Sequence, residues 1–348
     1  MGTIRVGIVG LGANCQLRHV PGLHACQDVE ITAVCNRRAE STQKMAQQYS
    51  IPKTYDRWQD LVADPEIDAV LIGTWPYLHA EISVAALQAG KHVSTEARMA
   101  RNVDEARQML AISQQHPELV TQIVPSPFGL RVHQTLLEHL AAGYLGELRE
   151  VVVLATSGDY ADPATPLHWR QSAEISGLNM LAMGIVHETL TRWVPDPIQV
   201  LAQTQIFTAE RKNEQTGQLE EVGTPDTVHV LTELPAGVRG IYHLSGVVHH
   251  GPALQIRLFG TAGTLQCVCD PEDRLLGARA EDAQLAEIPI APEKEGGWRV
   301  EADFIDAIRG EKEIEFTTFA AGVRYMEFTE AVARSSRLQT AVQLPLDD

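Results

Sequence analysis

The tightest constraint on how this chain folds is an alternation that starts at its N-terminus. Ile4–Val9 is an apolar run ending in a glycine-rich turn, Gly10-Leu11-Gly12. Further apolar runs follow at Ile31–Cys35, Ala69–Ile72, His92–Thr95 and Leu119–Val124. Near-continuous Val, Ile and Leu of this length suit strands buried on both faces. Between the runs, the spacing predicts helices over Ala39–Tyr49, Arg57–Ala63, His79–Ala89 and Val103–Ser113. Asn102-Val103-Asp104-Glu105 has the form of a capping box, and Gly90 suits a helix C-terminus. Strands that alternate with helices in this way form a parallel α/β sheet.

The turn after the first run has the chemistry of a dinucleotide-binding loop. Gly10 permits the sharp bend and Gly12 lets backbone approach a pyrophosphate. Ala13, Asn14 and Cys15 complete the loop, with Cys15 at the position usually held by Gly or Ala; its small side chain still allows close helix–strand packing. The helix that follows presents unpaired N–H groups to an anion. About 20 residues further on, an acidic residue would take the ribose hydroxyls of NAD. Asn36 stands there instead, followed by Arg37 and Arg38. Paired guanidiniums suit a 2′-phosphate, so NADP is the expected cofactor, with NAD the alternative if both arginines are only solvated.

Beyond Val124 the rhythm changes. Pro125-Ser126-Pro127 interrupts the chain and marks a boundary, giving a dinucleotide-binding domain over 1–124 and a second domain over 125–348. The second opens with a helix over Leu130–Ala142. Alternating strands follow at Leu148–Thr156, Thr227–Leu234, Gly237–Leu244, Leu254–Phe259 and Thr264–Val268, then helices at Ala302–Ile308 and Ala320–Leu338. That alternation fits an open, mostly antiparallel sheet with one face covered. A length of 348 residues accommodates two cores.

Charge and cysteine usage narrow the partners. A net charge of −17 argues against a nucleic-acid or anionic-membrane surface, which needs concentrated Lys and Arg. No apolar run reaches the ~18 residues of a membrane span, and no secretory leader is expected. Five cysteines without framework spacing read as reduced thiols of a cytoplasmic protein. Cys267-x-Cys269 sits in a strand pattern with no second ligand pair, so no metal site is expected.

Several segments together resemble the Gfo/Idh/MocA family, the glucose–fructose oxidoreductase and inositol dehydrogenase group. They are Asp68–Thr74 with Leu78-His79-Ala80-Glu81, Ala85–Val93, Trp169-Arg170, Gly260–Leu265, Asp303–Gly310 and the ending from Glu330-Ala331 to Leu344-Pro345. The resemblance covers nearly the whole chain. It implies a Rossmann domain, a C-terminal α/β domain with an open sheet, assembly into a homodimer or homotetramer, and hydride transfer between NAD(P) and a hydroxyl carbon of a sugar, sugar acid or cyclitol. It also implies cofactor contacts at Thr74, Trp75, His79, Glu96, Ala97, Arg98 and Arg170, and a substrate site near Trp169, Asn179, Met183 and His187.

The sequence departs from that family where its chemistry lies. The family's Glu-Lys-Pro is Glu96-Ala97-Arg98 here, and Met183 replaces an aspartate four residues before His187. The family's lysine stabilises developing alkoxide charge, and proton transfer needs a placed base. Of three proton-handling groups only His187 remains, and with a pKa near neutrality it can serve alone. Asn179, Met183 and His187 share one face if Ser176–Glu188 is a continuous helix. Arg98, one position further along an extended segment, points away from the position of Ala97. Tyr160, His243, His249 and His250 are weaker candidates, and His79 and His92 read as scaffold. Three functions follow: an oxidoreductase with an altered catalytic set, a redox-neutral lyase or glycosidase with tightly held NAD(P), or an inactive NAD(P)-binding regulator.

Overall fold

The computed structural model describes residues 2–347, and they form two compact units. The first comprises residues 2–125 together with 299–326, and the second 126–298 with 327–347.

The first unit is built on six strands: β1 (Ile4–Val9), β2 (Val29–Cys35), β3 (Lys53–Thr54), β4 (Ala69–Ile72), β5 (His92–Thr95) and β6 (Thr121–Ile123). All pair in parallel, in the order β3-β2-β1-β4-β5-β6. The order reverses at β1, which lies between β2 and β4. Such a switch point leaves a crevice beyond the strands' C-terminal ends, where ligands of open α/β sheets bind. Val6 and Ile8 are fully buried on one side with Leu23, Phe304 and Ile305. Val70, Ile72, Ile82, Leu87 and Val93 fill the other. Each such side chain contributes about 1.5–3 kcal/mol.

A boundary at residue 124 would assign everything after it to the second domain. In the structure, Phe304 and Ile305 of the helix Val300–Ile308 complete one core layer of the first unit. Phe319, Val323 and Met326 complete the other. An amphipathic pattern shows that a face is buried but not against what, so this return of the chain is invisible in the sequence.

The second unit adds β7 (Leu148–Thr156), β8 (Gln199–Gln205), a short ribbon of β9 (Glu210–Lys212) and β10 (Leu219–Glu221), β11 (Thr227–Glu233), β12 (Arg239–Ser245), β13 (Leu254–Gly260), β14 (Gly263–Cys269), β15 (Asp273–Arg279), β16 (Ala286–Ile288) and β17 (Val342–Gln343). Nine of them form one sheet, ordered β16-β15-β14-β13-β7-β12-β11-β8-β17. Every pair is antiparallel except β12 with β7. Val151, Val153, Val230, Tyr242 and Ile256 face Val186, Leu190, Phe328 and Val332 in the core. The opposite face carries Leu201, Leu231 and Ile241, all exposed and directly paired across three strands.

Two local expectations change. Asn102 caps its helix, accepting the Glu105 N–H at 2.9 Å, but the Glu105 carboxylate takes the Arg101 N–H and guanidinium instead of closing the box. Ser176–Glu188 is not one helix. It breaks at Gly177 (φ 62°) and Leu181 (φ 48°), and helix resumes at Met183–Thr191. Met183 and His187 therefore share a helix face and Asn179 does not; its amide folds back to donate to the Ser176 carbonyl at 2.7 Å. Among the described residues no helix is long and apolar enough to cross a membrane, and no cluster of His, Cys, Asp or Glu could hold a metal ion.

Candidate nucleotide and catalytic sites

The C-terminal ends of β1, β2 and β4 border a cleft of about 570 Å³. Gly10, at φ +86°, turns the chain out of β1, and a Cβ there would lie 2.7 Å from the Thr74 nitrogen. Only glycine fits both the left-handed backbone and that approach. The Gly10 N–H donates to the Cys35 carbonyl at 2.8 Å, tying the turn to the end of β2. Helix begins directly at Ala13. The Cys15 thiol is buried under the turn and donates to the Gly10 carbonyl at 3.5 Å; burial pushes its pKa up, so it stays a neutral packing group.

Asn36 lines the cleft at the end of β2. Its Oδ1 accepts the Leu11 N–H at 2.7 Å and its Nδ2 donates to Ser41 Oγ at 3.0 Å, so its amide fastens the turn. Arg37 and Arg38 are exposed and line the cleft, and Arg37 lies 5.6 Å from the Trp75 ring, a cation–π distance. Arg57 also lines it, as do Ser41 and Tyr77. Ser41 lies in the helix Ala39–Tyr49, Tyr77 in the helical turn Pro76–Leu78 and Arg57 just before the helix Trp58–Ala63, and none of the three carries a spacing signal. Three guanidiniums against one carboxylate, Asp56, make the rim cationic although the chain is strongly acidic.

Thr74, Trp75 and His79 follow β4. Thr74 and Trp75 line the cleft. His79 is fully buried, with Nδ1 2.8 Å from the Arg98 carbonyl and Nε2 2.9 Å from the Thr74 carbonyl, and burial lowers its pKa. It ties the segment after β4 to the segment after β5. β5 ends at Thr95, so Glu96, Ala97 and Arg98 lie past the strand and strand alternation no longer sets their directions. Arg98 is buried. Glu96 is held by Asn14 Nδ2 and by His19 Nε2, the latter at 3.0 Å. Neither His19 nor its second partner Glu301 was singled out from the sequence.

The remaining candidates belong to the second unit. His187 is fully buried and stacks on Phe328 at 3.7 Å between ring centroids. Its Nδ1 is 2.8 Å from the Tyr242 hydroxyl and its Nε2 3.6 Å from an Asp196 carboxylate oxygen. Burial holds the Tyr242 pKa well above its usual value, so the phenol keeps its proton. The Tyr242 hydroxyl pairs with Nδ1, and Nε2 faces the Asp196 carboxylate. Met183 and Asn179 are buried nearby in sequence. Arg170 is exposed and stacks 4.4 Å over Trp169.

A Rossmann unit with a dinucleotide turn, joined to a large open sheet, defines an NAD-binding oxidoreductase architecture. Residues 4–123 match the oxidoreductase family with NAD-binding Rossmann fold, and residues 133–266 match the Gfo/Idh/MocA C-terminal domain. The chain belongs to the Gfo/Idh/MocA oxidoreductase family. It is 28% identical over 247 residues to trans-1,2-dihydrobenzene-1,2-diol dehydrogenase of Mus musculus, covering 70% of this chain and 67% of that protein. It is 24% identical over 356 residues to levoglucosan dehydrogenase of Pseudarthrobacter phenanthrenivorans, covering 90% and 89%. A solved levoglucosan dehydrogenase complex with NADH and L-sorbose shares the fold, with a TM-score of 0.87, 22% identity and 99% of each chain covered.

Proposed function

We propose that this protein is an NADP-preferring oxidoreductase acting on a hydroxyl or keto carbon of a sugar, sugar acid or cyclitol, with an altered catalytic set. The observation that carries the cofactor half is the cationic rim of the cleft: Arg37, Arg38 and Arg57 line the cleft against the single carboxylate of Asp56, and the end of β2, where NAD-specific sites keep a carboxylate, carries Asn36 instead. The bound nicotinamide supplies the hydride acceptor or donor. Gly10, Gly12, Ala13 and Asn14 would seat the pyrophosphate, Trp75 and Arg37 would flank the adenine side, and Glu96 to Arg98 would stand at the nicotinamide end. The sugar-acting dehydrogenase among the relatives supports the substrate class.

His187 is the proposed acid–base group. Its Nδ1 pairs with the Tyr242 hydroxyl, Nε2 would be the atom that exchanges the proton, and Asp196 would stabilise the imidazolium so formed. Trp169, Asn179 and Met183 are the proposed substrate contacts, and Arg170 a proposed cofactor contact. The exposed row of Leu201, Leu231 and Ile241 is the proposed contact between copies in a homodimer or homotetramer. The second reading, a redox-neutral reaction around tightly held cofactor, is favoured by Ala97 and Met183, which leave two usual proton-handling positions without an ionisable group.

The test is turnover of NADPH or NADP against a panel of keto sugars, sugars and cyclitols, read by absorbance of the reduced nicotinamide. His187→Ala is expected to lose at least ~100-fold of the rate, the low end for a general acid–base group. Unchanged turnover in that variant removes His187 from the reaction. Cofactor retained through purification without net reduction moves the assignment to the second reading.

A further inference from the structure

We infer that His19 is a positioning residue of the cofactor site, a buried cation that ties Glu96 at the end of β5 to Glu301 and so holds the glycine-rich turn and the β5 end as one rigid wall. The inference rests on the cofactor binding proposed above. His19 closes a π-helical turn, Cys15–His19, immediately after the dinucleotide loop. Its ring is completely buried, with Nδ1 2.5 Å from Glu301 Oε1 and Nε2 3.0 Å from Glu96 Oε1. Ionised carboxylates only accept hydrogen bonds, so both ring nitrogens must donate, which only the imidazolium does. This histidine bridges two carboxylates, from segments 77 and 282 residues away.

The surroundings are arranged for that charge. Glu301 stands in the first turn of Val300–Ile308, where the helix dipole favours an anion. A Cβ on Gly22 would overlap the Glu301 carboxylate, so glycine at that position makes room for it. Asn14, in the dinucleotide loop, donates to the same Glu96 oxygen that His19 holds. Among the described residues Glu96 Oε2 takes the Ala97 N–H at 3.3 Å, and a carboxylate oxygen can accept a second donor from a bound ligand. Burial alone would lower the His19 pKa, but its bonds to Glu301 and Glu96 outweigh burial and raise it to about 9. Burial would raise Glu96, and His19 with Asn14 and His79 together more than reverses that. The other titratable groups facing this cluster are Cys15, held neutral by burial, Cys26, whose thiol burial and then the Glu301 charge push up, and His79, whose charge would act on Glu96.

With a folded pKa raised from 6.5 to about 9, the imidazolium contribution is complete below 6.5 and is lost as pH rises through about 9. NADPH binding to the full chain, followed by fluorescence with melting temperature in parallel, tests this. The wild type is expected to bind with constant affinity until pH approaches about 9 and then to weaken by about tenfold, the loss of a hydrogen bond to a charged group. His19→Gln is expected to bind about tenfold more weakly at pH 7, without the break at high pH. Glu301→Gln removes one of the two anions and is expected to move the break to lower pH. If His19→Gln fails to fold, the wild-type and Glu301→Gln profiles decide. A wild-type profile without a break, or an unmoved break in Glu301→Gln, overturns the inference. Failure of the wild type to bind NADPH or NADH at pH 7 overturns instead the cofactor reading on which it rests.

Discussion

Arg38→Ala, alone and with Arg37→Ala, separates the two nicotinamide cofactors most sharply. The 2′-phosphate distinguishes NADPH from NADH, and the cleft rim offers it Arg37, Arg38 and Arg57 against a single carboxylate. A charge-assisted hydrogen bond contributes about 1.5–3 kcal/mol. Both arginines are exposed, so solvent and salt screening favour the lower figure. About 1.5 kcal/mol is close to a tenfold change in Kd. Arg38→Ala should therefore weaken NADPH about tenfold. The double variant should weaken it by less than about 100-fold, because adjacent residues sharing one phosphate are not additive. NADH lacks the group and should change by under about threefold. Raising salt toward about 1 M shortens the screening length to about 3 Å and should shrink the NADPH advantage in the wild type while leaving the double variant nearly unaffected. Fluorescence titrations of the three proteins with both cofactors measure all of this. Equal weakening of NADPH and NADH, or a wild type that prefers NADH, refutes the assignment of these arginines to a 2′-phosphate.

Two further outcomes are expected from the second unit. Leu231→Arg puts a charge at the centre of the exposed row formed with Leu201 and Ile241. It should shift the protein to a smaller species in sedimentation without lowering its melting temperature, and an unchanged oligomer places the contact elsewhere. His133 accepts the Trp193 indole N–H at 3.1 Å, and burial with the nearby Arg192 charge lowers its pKa from 6.5 to about 4. Its neutral form is favoured on folding, so stability should fall as pH drops from 6.5 toward about 4 and then level off. His133→Asn should flatten that slope in melting curves across the same range, and an unaltered slope assigns it to other groups.

Much of the first unit was readable because its signals are local. Val6 and Ile8, Val70 and Ile72, and Val93 announce strands buried on both faces, and the Gly10 turn needs only its own backbone and Thr74 to explain it. Asn102 caps the helix that its sequence neighbours begin. Polar strands were not readable. Gln199–Gln205 alternates only Val200 and Ala202 inward, and it is a strand because β11 and β17 pair with its backbone on either side. The helix break at Gly177 to Leu181 was hidden for a related reason: the apolar residues continue through it, and two left-handed residues end the helix regardless of hydrophobicity.

The sequence by itself determined the family, the two-part architecture and the departures at Ala97 and Met183, since these depend on residue identity and short spacing. The tertiary structure decided what surrounds each charged group. Arg57 joins the cleft from a loop with no motif, Arg299–Met326 returns to the first unit, and Glu301 meets His19 from 282 residues away. Hydrophobic burial fixes which surfaces are covered without naming the partner, and a pKa depends on the charges within a few ångströms. Only the folded chain brings Glu96, His19 and Glu301 to hydrogen-bonding distance, and the two carboxylates raise the His19 pKa to about 9 against the opposing effect of burial.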